Sequence, residues 1–190
     1  MKITHLVSAS CFAAIFSLGY SISYASETEG AFLLGQYGSN VGIDNCPGSC
    51  NADFNGTLGM GVTLDSAIYP HLFTRQDRDS FTVEYSRQQF TLNGNTINVR
   101  RPSINYFAEM YLGQRSGFSL ALGVGLGWQT TDGTNLPSRT TFDPTLNLNL
   151  LYEINPTLQL SLGYSHDFIY ATSNPDFISN SVLFGLRWYL

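Results

Sequence analysis

Lysine is almost missing from this 190-residue sequence. Lys2 is the only lysine among nine lysine and arginine residues, which face fourteen aspartates and glutamates. The formal net charge is −5, and only 12% of the residues are charged. Because nucleic-acid binding needs a basic surface, this composition argues against a nucleic-acid partner. A local group of arginines could still meet anionic lipid.

Long apolar runs are missing as well. The apolar stretch over residues 6–18 follows the positive charge of Lys2 and is shorter than the roughly 20 residues that a membrane-spanning helix needs. Small residues then occupy the positions that a signal peptidase reads. We therefore predict a signal peptide over residues 1–25, cleaved after Ala25, and a mature domain over residues 26–190. An uncleaved N-terminal anchor is the alternative that the short run disfavours.

Cysteine is scarce, with three residues in the chain. Cys11 lies in the predicted signal peptide, which leaves Cys46 and Cys50 in a segment rich in Gly, Asn and Asp. An exported chain meets oxidising conditions, so we predict a Cys46–Cys50 disulfide that closes a small loop. A metal-binding pair is the rival interpretation, but no histidine lies near, and two thiolates do not fill a zinc shell.

Apolar side chains recur at every second position along most of the chain. The clearest example covers residues 119–128, which read SLALGVGLGW. Similar alternation occurs in residues 57–64, 81–86, 145–150, 158–165 and 181–190. A period of two is typical of β-strands, so each strand has one strongly apolar face.

The second face of these strands decides between a soluble and a membrane protein. It carries mainly Gly, Ser, Thr and Asn, whereas a face turned to water would carry many Lys and Glu residues. Small polar side chains suit a narrow interior, and the apolar face would then meet lipid. We therefore predict an all-β fold, an eight-stranded antiparallel up-and-down transmembrane β-barrel. An even strand count closes the sheet and leaves no edge in lipid.

The predicted strands and connections follow from the alternation and the turn residues. The strands cover residues 31–38, 57–65, 79–91, 96–112, 118–129, 140–154, 158–170 and 180–190. The predicted outer loops are 39–56, 93–95, 130–139 and 171–179, and the predicted periplasmic turns are 66–78, 113–117 and 155–157. The Asn93-Gly94-Asn95 sequence indicates a tight hairpin.

Aromatic residues should mark both membrane interfaces by facing outward near the strand ends. The predicted outer girdle contains Tyr37, Tyr85, Trp128, Phe142, Phe168 and Tyr170, and the predicted periplasmic girdle contains Phe81, Phe118, Tyr152 and Trp188. The fourth strand is irregular, because its apolar phase changes at Arg100-Arg101-Pro102. Either a β-bulge or a strand that enters lipid only after Pro102 would explain the change.

The last ten residues, SVLFGLRWYL, resemble the C-terminal strand of small outer-membrane barrels of the OmpA, OmpX and opacity type. Those strands alternate apolar residues up to a terminal aromatic, whereas this one ends in Leu190 after Trp188 and Tyr189. The resemblance implies an integral outer-membrane location and recognition by the barrel-assembly machinery. Outer-membrane lipid and lipopolysaccharide are the expected surroundings.

The interior of an eight-stranded barrel is filled by side chains. The predicted interior polar network comprises Asp65, Glu84, Glu109, Glu153 and Arg187, with Asp167, Gln159 and Asn147 on the same face. Since an isolated buried charge is costly, we expect Arg187 to pair with at least one interior acid. A structural polar plug is favoured over an ion pathway.

No catalytic, metal-binding or cofactor-binding residues can be assembled from the sequence. Outer-membrane lipid A deacylases carry a His and a Ser two residues apart, but Phe168 stands two residues after His166. A nucleophile needs a base within hydrogen-bond reach. We therefore predict a non-enzymatic surface barrel that contacts envelope lipid, host or matrix molecules through its outer loops. A lipid A-modifying enzyme and a narrow porin-like channel are the alternatives.

Overall fold

The computed structural model describes residues 30–44, 50–65, 78–112, 117–133, 136–170 and 177–190, and these form one closed antiparallel barrel. The strands are β1 (Gly30–Asp44), β2 (Cys50–Asp65), β3 (Arg78–Leu92), β4 (Asn95–Tyr111), β5 (Phe118–Gly133), β6 (Leu136–Asn155), β7 (Leu158–Ile169) and β8 (Phe177–Tyr189). Each strand pairs with its sequence neighbours, and β1 closes the ring against β8. The predicted fold class is confirmed. In the described ranges we find no helix with the length and apolarity of a membrane span.

The two ends of the barrel differ in their connections. The β1–β2, β3–β4, β5–β6 and β7–β8 connections lie at one end, the loop end, and Gly30 and Leu190 lie at the other, the terminal end. At the loop end, Asn93 and Gly94 form the β3–β4 turn with φ angles of 47° and 81°. Positive φ at both central residues is the type I′ geometry that suits a two-residue hairpin, as the sequence predicts.

Several strands reach further toward the loop end than expected. Most of the predicted loop 39–56 belongs to strands, because β1 runs to Asp44 and β2 starts at Cys50. The predicted loop 130–139 is mainly strand as well. In the extensions of β1 and β2 the register shifts between Asn40 and Gly42 and between Ala52 and Phe54 interrupt the period of two, so the alternation that defines the rest of each strand does not reveal them.

Large apolar side chains cover the outside of the barrel between its ends. Exposed residues include Leu58 (70%), Leu122 (49%) and Leu146 (55%). The predicted girdle residues Tyr37, Tyr85, Trp128, Phe142, Phe168, Phe81, Phe118, Tyr152 and Trp188 are also exposed. The outside is therefore an apolar band with aromatic side chains toward both ends.

Strand β4 keeps a continuous register through the residues where its apolar phase changes. Its ladder with β3 runs unbroken from Asn95 to Glu109, so the bulge considered at Arg100-Arg101-Pro102 does not form. Ile97 and Val99 point into the barrel, whereas Ile104 points outward. The apolar residues of β4 therefore face the barrel interior near the loop end and face outward nearer the terminal end. This reversal explains the change of apolar phase in the sequence.

Glycines on β5 make room for a large interior side chain. The ring of Phe107, which is 2% exposed, lies against Gly123, where an added Cβ would overlap the ring. Phe107 also packs with Ala121 and Leu151. The glycine face of β5 thus leaves interior space that a side chain of the neighbouring strand β4 fills.

Candidate functional site

The deepest charges in the barrel form an ion pair across the interior. Arg187 of β8 pairs with Glu109 of β4, and their side chains are 1% and 2% exposed. Ser80 donates a 2.5 Å hydrogen bond to the same carboxylate. The Arg187 guanidinium also lies 4.8 Å from the ring centre of Phe32 and 5.7 Å from that of Phe107. The pair is therefore neutralised, hydrogen-bonded and enclosed by aromatic rings.

A second layer of charges lies nearer the loop end. Arg101 of β4 contacts Asp143 of β6 at 3.0 Å and Asp167 of β7 at 2.6 Å. Gln88 donates a 2.9 Å hydrogen bond to Asp167, and Ser165 donates another of 3.1 Å. One guanidinium thus bridges carboxylates from two strands that do not pair with β4, and it fixes those strands relative to β4.

A small polar cavity of about 20 Å³ lies in the barrel interior. Its lining includes Glu84, Asn55 and Arg101. Thr82 donates a 2.6 Å hydrogen bond to Glu84. The side-chain amide of Asn55 is buried and has no partner among the described residues. A cavity of this size and polarity holds about one water molecule and is far smaller than the roughly 300 Å³ expected of a ligand pocket.

An apolar cluster closes the interior at the loop end, and we call it the cap. It consists of Phe90, Ile97, Val99, Ile169 and Phe177, contributed by β3, β4, β7 and β8. The rings of Phe90 and Phe177 meet edge to face with centroids 5.2 Å apart. Above the second charge layer, the barrel is therefore packed like the core of a soluble protein.

The predicted interior residues do not all join these layers. Glu84, Glu109 and Arg187 take part as described. Glu153 is half-buried near the terminal end, and its carboxylate has no partner among the described residues. The Asp65 side chain and the predicted Cys46–Cys50 disulfide lie outside what the structure describes.

Arg101 and Asp143 are interior charges that the sequence reasoning did not place in the network. Asp143 shares its phase on β6 with Asn147 and Asn149, so the alternation could have identified it. Arg101 was harder to assign, because the change of apolar phase obscured which face it occupies. Once β4 is read as one continuous strand, Arg101 falls on the inward face with Glu109.

Outward-facing polar side chains form a separate cluster around Asn180 of β8. The Asn180 Nδ2 donates to Asp44 at 3.1 Å, so its Oδ1 accepts from the Tyr164 hydroxyl and from His166 Nδ1, each at 2.8 Å. A register shift between Asn40 and Gly42 turns Asp44 to the outside of β1.

This cluster fixes the tautomer of His166 but contains no serine or cysteine. His166 Nδ1 carries the proton, because it donates to Asn180. Phe168, the next outward residue on β7, lies against the imidazole with ring centroids 5.2 Å apart. The described residues also include no group of three side chains that could hold a metal ion.

Comparison with known proteins rests on structure. No protein-family pattern and no curated protein sequence matches the chain. Neisserial surface protein A has 15% sequence identity and a TM-score of 0.66, over 85% of this chain and 100% of that chain. Ail, the attachment invasion locus protein of Yersinia pestis, solved with the heparin analogue sucrose octasulfate, has 13% identity and a TM-score of 0.54, over 84% and 97%. The chain therefore has the fold of the small eight-stranded outer-membrane barrels.

Proposed function

We propose that the mature chain is an integral outer-membrane surface barrel without enzymatic activity. It loses a signal peptide near Ala25, and its last strand is recognised by the barrel-assembly machinery. The loop end faces away from the cell, where it contacts lipopolysaccharide and offers its loops, including the one containing Cys46 and Cys50, to a host or matrix ligand.

The apolar band supports membrane insertion. Side chains such as Leu58, Leu122 and Leu146 are 49–70% exposed on the barrel exterior, while the interior carries buried ion pairs. This arrangement is the reverse of a soluble barrel, and it is the arrangement of barrels that lie in hydrocarbon.

The closed interior is the observation that carries the non-channel part of the proposal. Three successive barriers fill the lumen: the Arg187–Glu109 pair, the Arg101–Asp143–Asp167 layer and the cap. An ion that crossed the barrel would have to displace each of them. The interior is therefore a structural plug that ties β4 to β6, β7 and β8.

Purified barrel in planar bilayers is expected to show no large, steady conductance, because the cavity holds about one water molecule. Incorporation is checked by recovering the protein from vesicles and comparing its electrophoretic mobility before and after boiling. A steady current from barrel that passes this check would contradict the plug and favour the narrow channel.

A lipid A-modifying enzyme is the second candidate, and the hydrogen bond between His166 and Asn180 favours it. That bond orients the imidazole as a base is oriented in hydrolytic sites. Phe168 occupies the outward position beside it, and no serine or cysteine hydroxyl or thiol contacts His166 among the described residues. In the part of the chain that the structure describes, the geometry thus offers an oriented imidazole but no serine or cysteine beside it.

Mass spectrometry of lipid A separates the two candidates. Cells with and without the gene are expected to have identical acyl chains, because no serine or cysteine contacts His166 among the described residues. A change in acyl chains that disappears in the His166→Gln variant, but persists in the His71→Gln variant, would establish the enzyme and contradict the main proposal.

A further inference from the structure

Two arginines face each other on the outside of the barrel near the loop end. Arg87 of β3 and Arg100 of β4 are direct cross-strand partners, and both are exposed. Arg100 also forms an ion pair with Asp132, with the two side chains 47% and 32% exposed. Arg87 has no partner among the described residues.

The row of outward residues directly beneath is apolar and aromatic. Leu58 pairs with Tyr85, Tyr85 with Pro102, and Trp128 with Phe142. Arg87 is two residues beyond Tyr85 on the same strand, a rise of about 7 Å. Since outward aromatic rings mark the interface of a membrane barrel, the two arginines lie at the level of lipid headgroups.

The arginine pair is unfavourable without an anion. Like charges directly opposite each other on a sheet destabilise it, and Asp132 compensates for one of the two cations. Guanidinium groups bind phosphate through paired N–H donors, which makes them better suited to it than a point charge.

The neighbouring strands leave this pair accessible. The partner of Arg87 on β2 is Gly56, which has no side chain, and the partner of Arg100 on β5 is Thr130. The Thr130 and Thr140 hydroxyls share a 3.2 Å hydrogen bond in the same row. The row therefore offers two guanidinium groups and two hydroxyls, and the ring of Phe54 lies over Gly56 beside Arg87.

We propose that Arg87 and Arg100 form a binding site for a phosphate group of an outer-leaflet lipid, with the chemistry of the phosphorylated glucosamine in lipopolysaccharide. The proposal rests on the membrane placement given above. A lipid phosphate fits better than a soluble anion, because acyl chains attached to it would run along Leu58, Tyr85 and Trp128. Asp132 holds Arg100 in place while Arg87 supplies the uncompensated charge.

The site can be tested with purified full-length mature barrel in nanodiscs of phosphatidylcholine that contain bisphosphorylated lipid A or its dephosphorylated form. Lipid retained by the barrel is measured by native mass spectrometry. We expect the bisphosphorylated lipid to bind the wild-type barrel, and the Arg87→Gln variant to bind it about tenfold more weakly, as for the loss of one charge-assisted contact. The matched control Arg139→Gln, which removes the same charge from β6, should keep the affinity within about twofold.

Three results would overturn the site. The first is an equal loss of lipid A affinity in R87Q and R139Q. The second is equal retention of the bisphosphorylated and dephosphorylated lipids by the wild-type barrel. The third is displacement of Arg87-dependent binding by a soluble sulfated polysaccharide but not by lipid A. A mobility shift on boiling shows that each variant is a folded barrel. A barrel that never inserts into membranes would instead remove the proposed function, so the two failures remain distinct.

Discussion

The Arg187→Met variant is expected to be less stable than the wild type by about 3–5 kcal/mol. The substitution leaves Glu109, which is 2% exposed, without its cation inside the barrel. The Ser80 hydroxyl still donates to the carboxylate, but one neutral hydrogen bond does not replace a buried charge. Urea unfolding of barrel folded in lipid vesicles, followed by the fluorescence of Trp128 and Trp188, measures the difference.

A double variant separates charge from packing in this experiment. Arg187→Met combined with Glu109→Met removes both charges, and replacing a buried pair by apolar side chains is often neutral or stabilising. We expect the double variant to regain most of the lost stability. Equal losses in the single and double variants would show that shape, and not the uncompensated carboxylate, accounts for the effect.

The Leu122→Arg variant should also lose stability, by about 2–4 kcal/mol for a cation near the middle of the bilayer. Leu122 is 49% exposed in the apolar band of β5. On the same strand, Thr130 lies in the polar row at headgroup level, so Thr130→Arg should cost at most about 1 kcal/mol. The same urea titration in vesicles compares the two.

The comparison within one strand tests which side of the sheet meets hydrocarbon. If the barrel were soluble, an arginine at position 122 would only replace a water-exposed leucine, and both substitutions would be nearly neutral. A neutral Leu122→Arg variant would therefore contradict membrane insertion, whereas destabilisation at both positions would place the lipid boundary beyond Thr130.

The alternation of bulky apolar and small residues was enough to predict the strands and their orientation where the two faces of a strand differ sharply. Residues 119–128 are the clearest case, because bulky groups on one face and glycines on the other leave one possible orientation. The extensions of β1 and β2 beyond the apolar band escaped prediction. There apolar residues such as Val41 and Phe54 no longer alternate regularly with small polar ones, so a rule that requires an apolar residue at every second position misses the strand.

The composition of the interior was easier to predict than its contacts. Glu109 and Arg187 could be assigned to the inward face from their phase. Their contact depends on how strands β4 and β8, which are not neighbours, face each other across the lumen, and strand tilt and stagger set that relation. Sequence periodicity carries no information on the stagger.

The outward cluster around Asn180 shows a second limit. The register shift in β1 inserts Val41 as an extra residue, which reverses the phase and brings Asp44 to the outside. A single inserted residue with polar neighbours has no distinct pattern in the sequence. The hydrogen bonds of His166 therefore became visible only in three dimensions.

The cap has a consequence for how the protein can vary. Its rings and branched side chains seal the barrel above the Arg101 layer, so a change in a segment beyond it leaves the ion pairs and the apolar band untouched. The loops can accordingly accept new sequence, including foreign peptide inserted at the Asn93-Gly94 turn, without loss of the scaffold. Such independence would let the loops vary in sequence while the part that must assemble stays fixed.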